Sequence, residues 1–475
     1  MSASFTVAQA AFAAGARLVR GDGAARVQGV FTDTRRPERG ALFVALVGEN
    51  YDGSTYAAAA AEAGAAAVLV QERSAAKVAA ELSPGAALLA ARDTGRALAL
   101  LAQAWRGQQR DLQVIAITGS AGKTSTKELV AATLGRVGGT LRTEGNFNNE
   151  IGVPLTLLGL GPQHRFAVIE CGMNHLGEIA RLAAYVDPDV ALVTNVGPVH
   201  LEGTGSVDGV AHAKGELFHA LRADGVAVAN ADDARVLSQA RLSHRRLLTF
   251  GASVGSDARL ISAHHGGPGL RVEMQLLGKV HLAELQLIGT HNGHNACAAA
   301  AVGLALGLAP ETIVQGLGDA RTPGRRMRPV KLPGGGLLID DCYNANPGSM
   351  KAALLTLTHL VRRKGRAVAV LGDMLELGPT ELDLHRDVGR FAAGAGLSLL
   401  VCFGSRARAI GEGAIEGGIR PANVAFTEDP AKAADLVREH QLPDDVVLVK
   451  GSRGMKMERI SDSLAGAPPP PEGAH

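Results

Sequence analysis

Tryptophan occurs once in these 475 residues, tyrosine four times, and aromatic residues together make up only 3%. So sparse a supply of rings argues against the stacking surfaces on which single-stranded nucleic acid is held. An excess of one charge is missing too: 48 Lys and Arg against 46 Asp and Glu leave a net charge of +2. Nothing global therefore draws the chain to a nucleic-acid backbone or an anionic membrane. The four cysteines, Cys171, Cys297, Cys342 and Cys402, never fall in a Cys-x-x-Cys spacing. That scatter argues against a zinc knuckle or a disulfide framework and fits a reducing compartment. Long apolar runs are also absent. The Ala-rich stretch 56–70 is broken by Glu62 and Gly64, and the first arginine is Arg17, so neither a membrane span nor a basic leader region is expected. A soluble, cytoplasmic protein of roughly three domains is the expectation, with no nucleic-acid partner and no membrane insertion.

What is present is concentrated between Ile115 and Lys127. An apolar, β-branched run ends in Gly119, Ser120, Ala121 and Gly122, and Lys123, Thr124 and Ser125 open a helical stretch continuing over 128–134. Glycines let the backbone approach an anion, and the free N–H groups of a helix start face it. Lys123 supplies a mobile cation for the outer phosphates, and the Thr124 hydroxyl suits a magnesium ion. Ile117 stands where the common phosphate loop carries its first glycine. An ordinary Gly-rich turn is the alternative, disfavoured by Gly-Lys-Thr standing directly at the helix start.

Residues 1–92 form a first unit. Thr6 is placed to cap a short Ala-rich helix. Asp33, Thr34 and Arg35 precede a strand over 40–48 and could grip a phosphate or sugar, or form a solvated turn. A helix over 93–105, with Leu98, Leu101, Ala102 and Trp105 on one side, leads to a strand over 114–117. Further apolar strands over 166–170, 191–194 and 226–229 alternate with helical stretches, the rhythm of a parallel α/β sheet, whose ligands gather at the C-terminal ends of strands. Glu170 stands at such an end, as do Asn195 and, shortly after it, His200 and Glu202. Magnesium needs few protein ligands, so Glu170 alone could serve it; a helix-capping acid is the alternative. Read alone, His200 is an ordinary structural histidine and Lys214 a surface charge. Asn146, Asn148 and Asn149 lie in an amide-rich loop suited to sugar, peptide or phosphate groups, or to a plain turn. Asn292 and Asn295 open an Ala-rich helix reaching 308, where they could read an adenine edge or simply cap the helix.

A third unit, 323–475, begins at a turn carrying Arg325 and Arg326. Strands over 336–340, 366–371, 398–403 and 446–449, with helices between, predict a Rossmann-like sheet. The first of them runs into Asp341 and Asn346. The basic run 362–364 reads as a solvated helix end and the Pro-rich tail, 468–475, as disordered.

Taken together, these motifs resemble the Mur ligase family, ATP-dependent enzymes that join amino acids or peptides to a UDP-linked muramic acid. The resemblance rests on residues 118–127, 145–156, 170–175, 195–203, 340–347 and 372–378 in that order, and runs from about Asp33 to Arg453. It accounts for Ile117. It implies an α/β protein of three domains: a small N-terminal domain for the UDP substrate (1–92), a central phosphate-loop ATPase domain with a parallel sheet (93–322) and a C-terminal Rossmann-like domain (323–475). It further implies an ADP-forming ligase using ATP and Mg²⁺. The 340–347 and 372–378 stretches favour the branch that adds D-alanyl-D-alanine to a UDP-N-acetylmuramoyl tripeptide over branches acting on folate or adding a diamino acid. A nucleotide-dependent switch without amide chemistry is the reading from another class.

By resemblance, Thr124, Glu170, His200 and Lys214 surround the metal, Lys214 as a carbamylated lysine. Lys123, Lys214, His200 and Arg325 are expected to serve catalysis. ATP is expected against 119–125, with Asn292 and Asn295 at adenine, Arg325 at phosphate and Asp341 at ribose. Thr34, Arg35, Asn146, Asn148, Asn149 and Asn346 are expected at the UDP-linked substrate. Departures from the family pattern are Ala121 in place of Asn, Ser125 in place of Thr and Cys171 in place of Met. A monomer is expected.

Overall fold

The computed structural model describes residues 3–48, 51–266, 269–321, 324–361 and 365–466. The basic run 362–364, the Pro-rich tail and the expected unit boundary at 322–323 lie outside the described residues.

Among the described residues the central unit is built on a nine-stranded sheet. Its order is Thr140–Arg142, Phe166–Glu170, Gln113–Thr118, Val190–Val193, Val226–Asn230, Arg246–Gly251, Ala258–Gly266, Gly269–Leu276 and Lys279–Leu285. The strand ahead of the phosphate loop therefore lies between the strands that end at Glu170 and Val193, with Ile117 in register with both Glu170 and Leu192. These strands are near-continuous apolar runs because helices cover both faces. One apolar cluster packs under the helices Lys123–Gly135, Asn292–Ala305 and Pro310–Asp319, and another under Thr94–Gly107, Gly152–Leu158, Glu178–Val186 and Val207–His219.

The expectation of a parallel sheet needs correction at one end. Ala258–Gly266, Gly269–Leu276 and Lys279–Leu285 pair antiparallel. Leu270, Val272, Met274 and Leu276 face the core while Arg271 and Glu273 face out, the alternation of a sheet covered on one side only. The helix expected over 93–105 spans Thr94–Gly107, with the Asp93 carboxylate accepting from Arg96 N at 3.0 Å as its cap. Thr6 and Gln9 form a reciprocal capping box on Val7–Ala13.

In the first unit a five-stranded sheet runs Arg17–Arg20, Ala87–Ala91, Ala67–Gln71, Leu42–Val44, Val30–Phe31. One face is covered by its own helices Ala57–Glu62 and Ala75–Glu81. The other face shares its apolar cluster with Thr94–Gly107 and the central unit, so the core continues across position 92. Phe5 meets Trp105 edge-on at 5.4 Å, and Ala3 N donates to Leu158 O at 2.9 Å across the same seam.

The third unit is a six-stranded sheet ordered Arg328–Lys331, Leu337–Asp341, Val446–Lys450, Ala367–Gly372, Leu397–Phe403, Val424–Thr427. Its first pair is antiparallel and the rest parallel, so the expected Rossmann-like strands gain one neighbour at each edge.

Candidate active site

The C-terminal ends of the central strands open into a cavity of about 770 Å³ whose far wall comes from the third unit. The loop after Gln113–Thr118 enters it through backbone that only glycine adopts easily. Gly119 has φ 149°, and a Cβ there would stand 1.8 Å from Thr194 Oγ1; Gly122 has φ 81°, and its Cβ would stand 2.5 Å from Asn295 Oδ1. Residues of the neighbouring strand end fix the turn. Ser120 N donates to Asn195 O at 2.9 Å, Ala121 N to Asn195 Oδ1 at 2.8 Å, and Thr194 Oγ1 to Ala121 O at 2.6 Å. The helix Lys123–Gly135 begins at that point, so its first-turn N–H groups, which lack acceptors within the helix, face the cavity.

Lys123 folds back to donate from Nζ to Gly119 O at 2.6 Å. Burial pushes its amine below the ordinary lysine value; Glu170 opposes that shift and Arg326 adds to it. Thr124 Oγ1 donates to Glu170 Oε2 at 2.8 Å, and Asn148 Nδ2 donates to Glu170 Oε1 at 2.9 Å, so the buried carboxylate ties the amide-rich loop to the phosphate loop. Lys214 is 2% exposed, and its charge has no ion-pair partner among the described residues. Burial, and then the charge of Lys123, push its amine well below the ordinary value. A surface charge was the wrong reading of Lys214 on its own.

No group of three or more His, Cys, Asp or Glu side chains among the described residues could hold a metal by itself. One hydroxyl and one carboxylate side by side nevertheless suit an ion that keeps most of its waters and arrives with phosphate oxygens. The donor set fits Mg²⁺.

Of the other expected residues, Ser120, Ser125, Asn146, Asn149 and His200 line the cavity. Asn149 Oδ1 accepts from Gly152 N at 2.8 Å, setting the start of the helix Gly152–Leu158. His200 has φ 52°, and its Nδ1 lies 3.0 Å from Glu376 Oε2 of the third unit. Asn292, Asn295, Asp341 and Asn346 line it as well. Neither asparagine caps its helix: Asn292 Nδ2 donates to Ile288 O, and Asn295 Nδ2 donates to Asn292 Oδ1, both at 2.8 Å. Asn346 caps Pro347–Leu360 through Oδ1, while its Nδ2 reaches Ser120 O at 3.4 Å across the two units. Asp341 Oδ2 accepts from Lys450 Nζ at 2.7 Å. Thr34 and Arg35 do not line this cavity; they belong to the first unit, where Arg35 pairs with Asp33 at 2.8 Å.

Arg325, expected at phosphate, stands behind the cavity wall in this structure. Its guanidinium donates to Asp340 at 3.0 Å and to both oxygens of Asp462 at 2.8 Å, and it does not line the cavity. The fully buried Asp340 needs that cation more than a solvent-facing cavity does. The next residue, Arg326, lines the cavity instead, 4.1 Å from the centre of the Tyr343 ring. Sequence reading also missed Tyr343, Glu376, Lys450 and Arg453 as wall residues; their signal was their place at or just beyond the strand ends Asp341, Gly372 and Lys450. All four cysteines are buried and free, and burial pushes the Cys171 thiol up to about 12, which removes it as a nucleophile.

Comparison with known proteins gives the same outline. Residues 117–303 match the family description "Mur ligase middle domain", 325–453 "Mur ligase, glutamate ligase domain" and 26–133 "Mur ligase family, catalytic domain". The UDP-N-acetylmuramoyl-tripeptide–D-alanyl-D-alanine ligase of Escherichia coli is 40% identical over 92% of this chain and 93% of its own. That of Bacillus subtilis is 36% identical over 93% and 94%. Among solved structures, MurF from Acinetobacter baumannii superposes with a TM-score of 0.87 at 32% identity, covering 98% of this chain and 99% of its own. MurF from Thermotoga maritima in complex with ADP gives a TM-score of 0.80 at 25% identity over 93% and 97%.

Proposed function

Because the chain belongs to the Mur ligase family, we infer that its cavity is the site where an ATP-dependent ligase joins D-alanyl-D-alanine to a UDP-N-acetylmuramoyl tripeptide. The product is the UDP-muramoyl pentapeptide precursor of peptidoglycan. The observation that carries the mechanism is the convergence of Lys123, Thr124, Glu170 and Lys214 with the third unit's Arg326 on one cavity.

A carboxylate acylates poorly because its leaving group would be oxide. The tripeptide carboxylate therefore attacks the γ-phosphorus of ATP, giving an acyl phosphate and ADP. The dipeptide amine then attacks the acyl carbon, loses a proton, and inorganic phosphate leaves from the tetrahedral intermediate. Lys123 and the first-turn N–H groups hold the phosphates, and Arg326 approaches them from the third unit in the role expected of Arg325. Thr124, Glu170, His200 and Lys214 would hold Mg²⁺, which supplies neutralisation of phosphate charge. The buried amine of Lys214, without an ion-pair partner among the described residues, is suited to take up carbon dioxide with loss of a proton; the carbamate then presents oxygens where the amine presented a cation.

Asn292 and Asn295 face the adenine and Asp341 the ribose. Asn146, Asn148, Asn149 and Asn346 lie toward the tripeptide, and Thr34 and Arg35 of the first unit toward the uridine diphosphate. The enzyme acts as a cytoplasmic monomer with 1–92, 93–322 and 323–475 as its three domains. No helix among the described residues is long and apolar enough to cross a membrane. The test is ADP release with each acceptor withheld in turn. Release that requires both the tripeptide and D-alanyl-D-alanine supports the reading; release that needs a single amino acid in place of the dipeptide moves the chain to another branch of the family.

A further inference from the structure

Five lysine and arginine side chains line the cavity among the described residues: Lys123, Lys214, Arg326, Lys450 and Arg453. Four have evident work. Lys123 belongs to the phosphate loop, and Arg326 stands near enough to it for its charge to depress the lysine amine. Lys214 is buried beside Lys123. Lys450 is 3% exposed and is neutralised by Asp341 at 2.7 Å. Arg453 differs. Its side chain is 61% exposed, and its ion pair is a single contact from Nη1 to Glu458 Oε1 at 3.1 Å.

The backbone that carries Arg453 is fixed. It follows the strand Val446–Lys450 at its C-terminal end, where ligands of α/β sheets collect. Ser452 N donates to Asp373 O at 3.0 Å, and Ser452 Oγ accepts from Leu375 N at 2.9 Å. The guanidinium carbon lies 6.0 Å from the centre of the Tyr343 ring, the same ring that Arg326 covers at 4.1 Å. Both arginines thus share the Tyr343 ring, Arg326 close to it and Arg453 farther from it.

An acceptor dipeptide brings two ends. Its amine must reach the acyl carbon, and its carboxylate lies about 7 Å further along an extended two-residue chain. That carboxylate needs a cation that phosphate does not already occupy, and a guanidinium can bind it through two parallel N–H groups. We propose that Arg453, steadied by Glu458, binds the terminal carboxylate of the incoming dipeptide and so determines that the enzyme takes a free-acid acceptor; this rests on the ligase reading above.

The test is initial-rate kinetics of the full-length enzyme with D-alanyl-D-alanine and with its C-terminal amide. Wild-type enzyme is expected to prefer the acid. Arg453→Gln should raise KM for the acid about 10- to 100-fold while KM for ATP, for the tripeptide and for the amide change by less than about twofold. Arg453→Lys, which keeps charge without the paired donors, should recover part of the loss. An unchanged preference of Arg453→Gln for acid over amide overturns the proposal, as does a parallel rise in KM for ATP. Wild-type enzyme that forms no product with either acceptor defeats the ligase reading itself and the proposal with it, and that failure appears before any substitution is made.

Discussion

Arg325 and Arg326 are neighbours with the same chemistry and separate tasks. Arg325 joins Arg328 in neutralising Asp340, which has no exposed surface, and reaches Asp462 as well. Arg326 faces the cavity. Arg325→Gln should therefore destabilise the fold by about 2 kcal/mol, the loss of its charged hydrogen bonds to Asp340 and Asp462 while Arg328 still covers Asp340, with kcat of the folded fraction nearly unchanged. Arg326→Gln should leave the urea midpoint in place and lower kcat about 100-fold, the usual size of losing one group that stabilises charge in the transition state. Denaturation and initial rates on the two variants separate these outcomes, and a swapped pattern returns Arg325 to the site. The sequence located a cationic turn but not how its two cations divide between cavity and core, because only the fold says which carboxylate is buried. Glu170 and Lys123 were readable for the opposite reason: each stands at a strand end or helix start, which sequence pattern locates well.

At the scale of the element, the phosphate loop works because two glycines let other chain segments touch it. Gly122→Ala forces a side chain into φ 81° and against Asn295 Oδ1. The expected result is a KM for ATP raised at least about tenfold, with the thermal shift on adding an ATP analogue greatly reduced while the unliganded melting point falls only slightly. An intact thermal shift would show that the loop tolerates the strain. A second element-level device joins the strands Ala367–Gly372 and Val446–Lys450 at their starts, where Asp445 accepts from Arg366 N at 3.0 Å and from Arg366 Nη2 at 2.8 Å. Burial pushes the Asp445 carboxyl up, but the bonds from Arg366 and Leu442 outweigh it and hold the value below the ordinary one. A lowered folded-state pKa means that this stability is fully present above the unfolded pKa of about 3.9 and is lost as pH falls through the folded value. Asp445→Asn should cost about 2 kcal/mol at pH 7. Urea titrations should find that deficit shrinking below about pH 4, and a deficit independent of pH would assign it to packing. The parallel core strands were legible because they are continuous apolar runs between helices. The antiparallel run 258–285 was not read, since its alternating pattern breaks the rhythm that identified the rest.

At the scale of the whole molecule, the reaction site is a shared space. Asn346 reaches Ser120 at 3.4 Å and Glu376 reaches His200 at 3.0 Å, so the third unit closes the cavity that the central unit opens. No sequence pattern reports such a closure, because it depends on how separately folded sheets meet. The first unit shows the converse. Its sheet buries one face with its own helices and the other through a cluster that runs into Thr94–Gly107 and beyond. A fragment ending at residue 92 should bind a hydrophobic dye and melt without a cooperative transition, whereas the full chain should show neither property; a cooperative melt of the fragment would contradict the shared core. The same seam sets an order of events during synthesis. Residues 1–92 leave the ribosome first, yet the surface that completes their core is made later, so the nascent domain must wait exposed and is where a chaperone would be needed most.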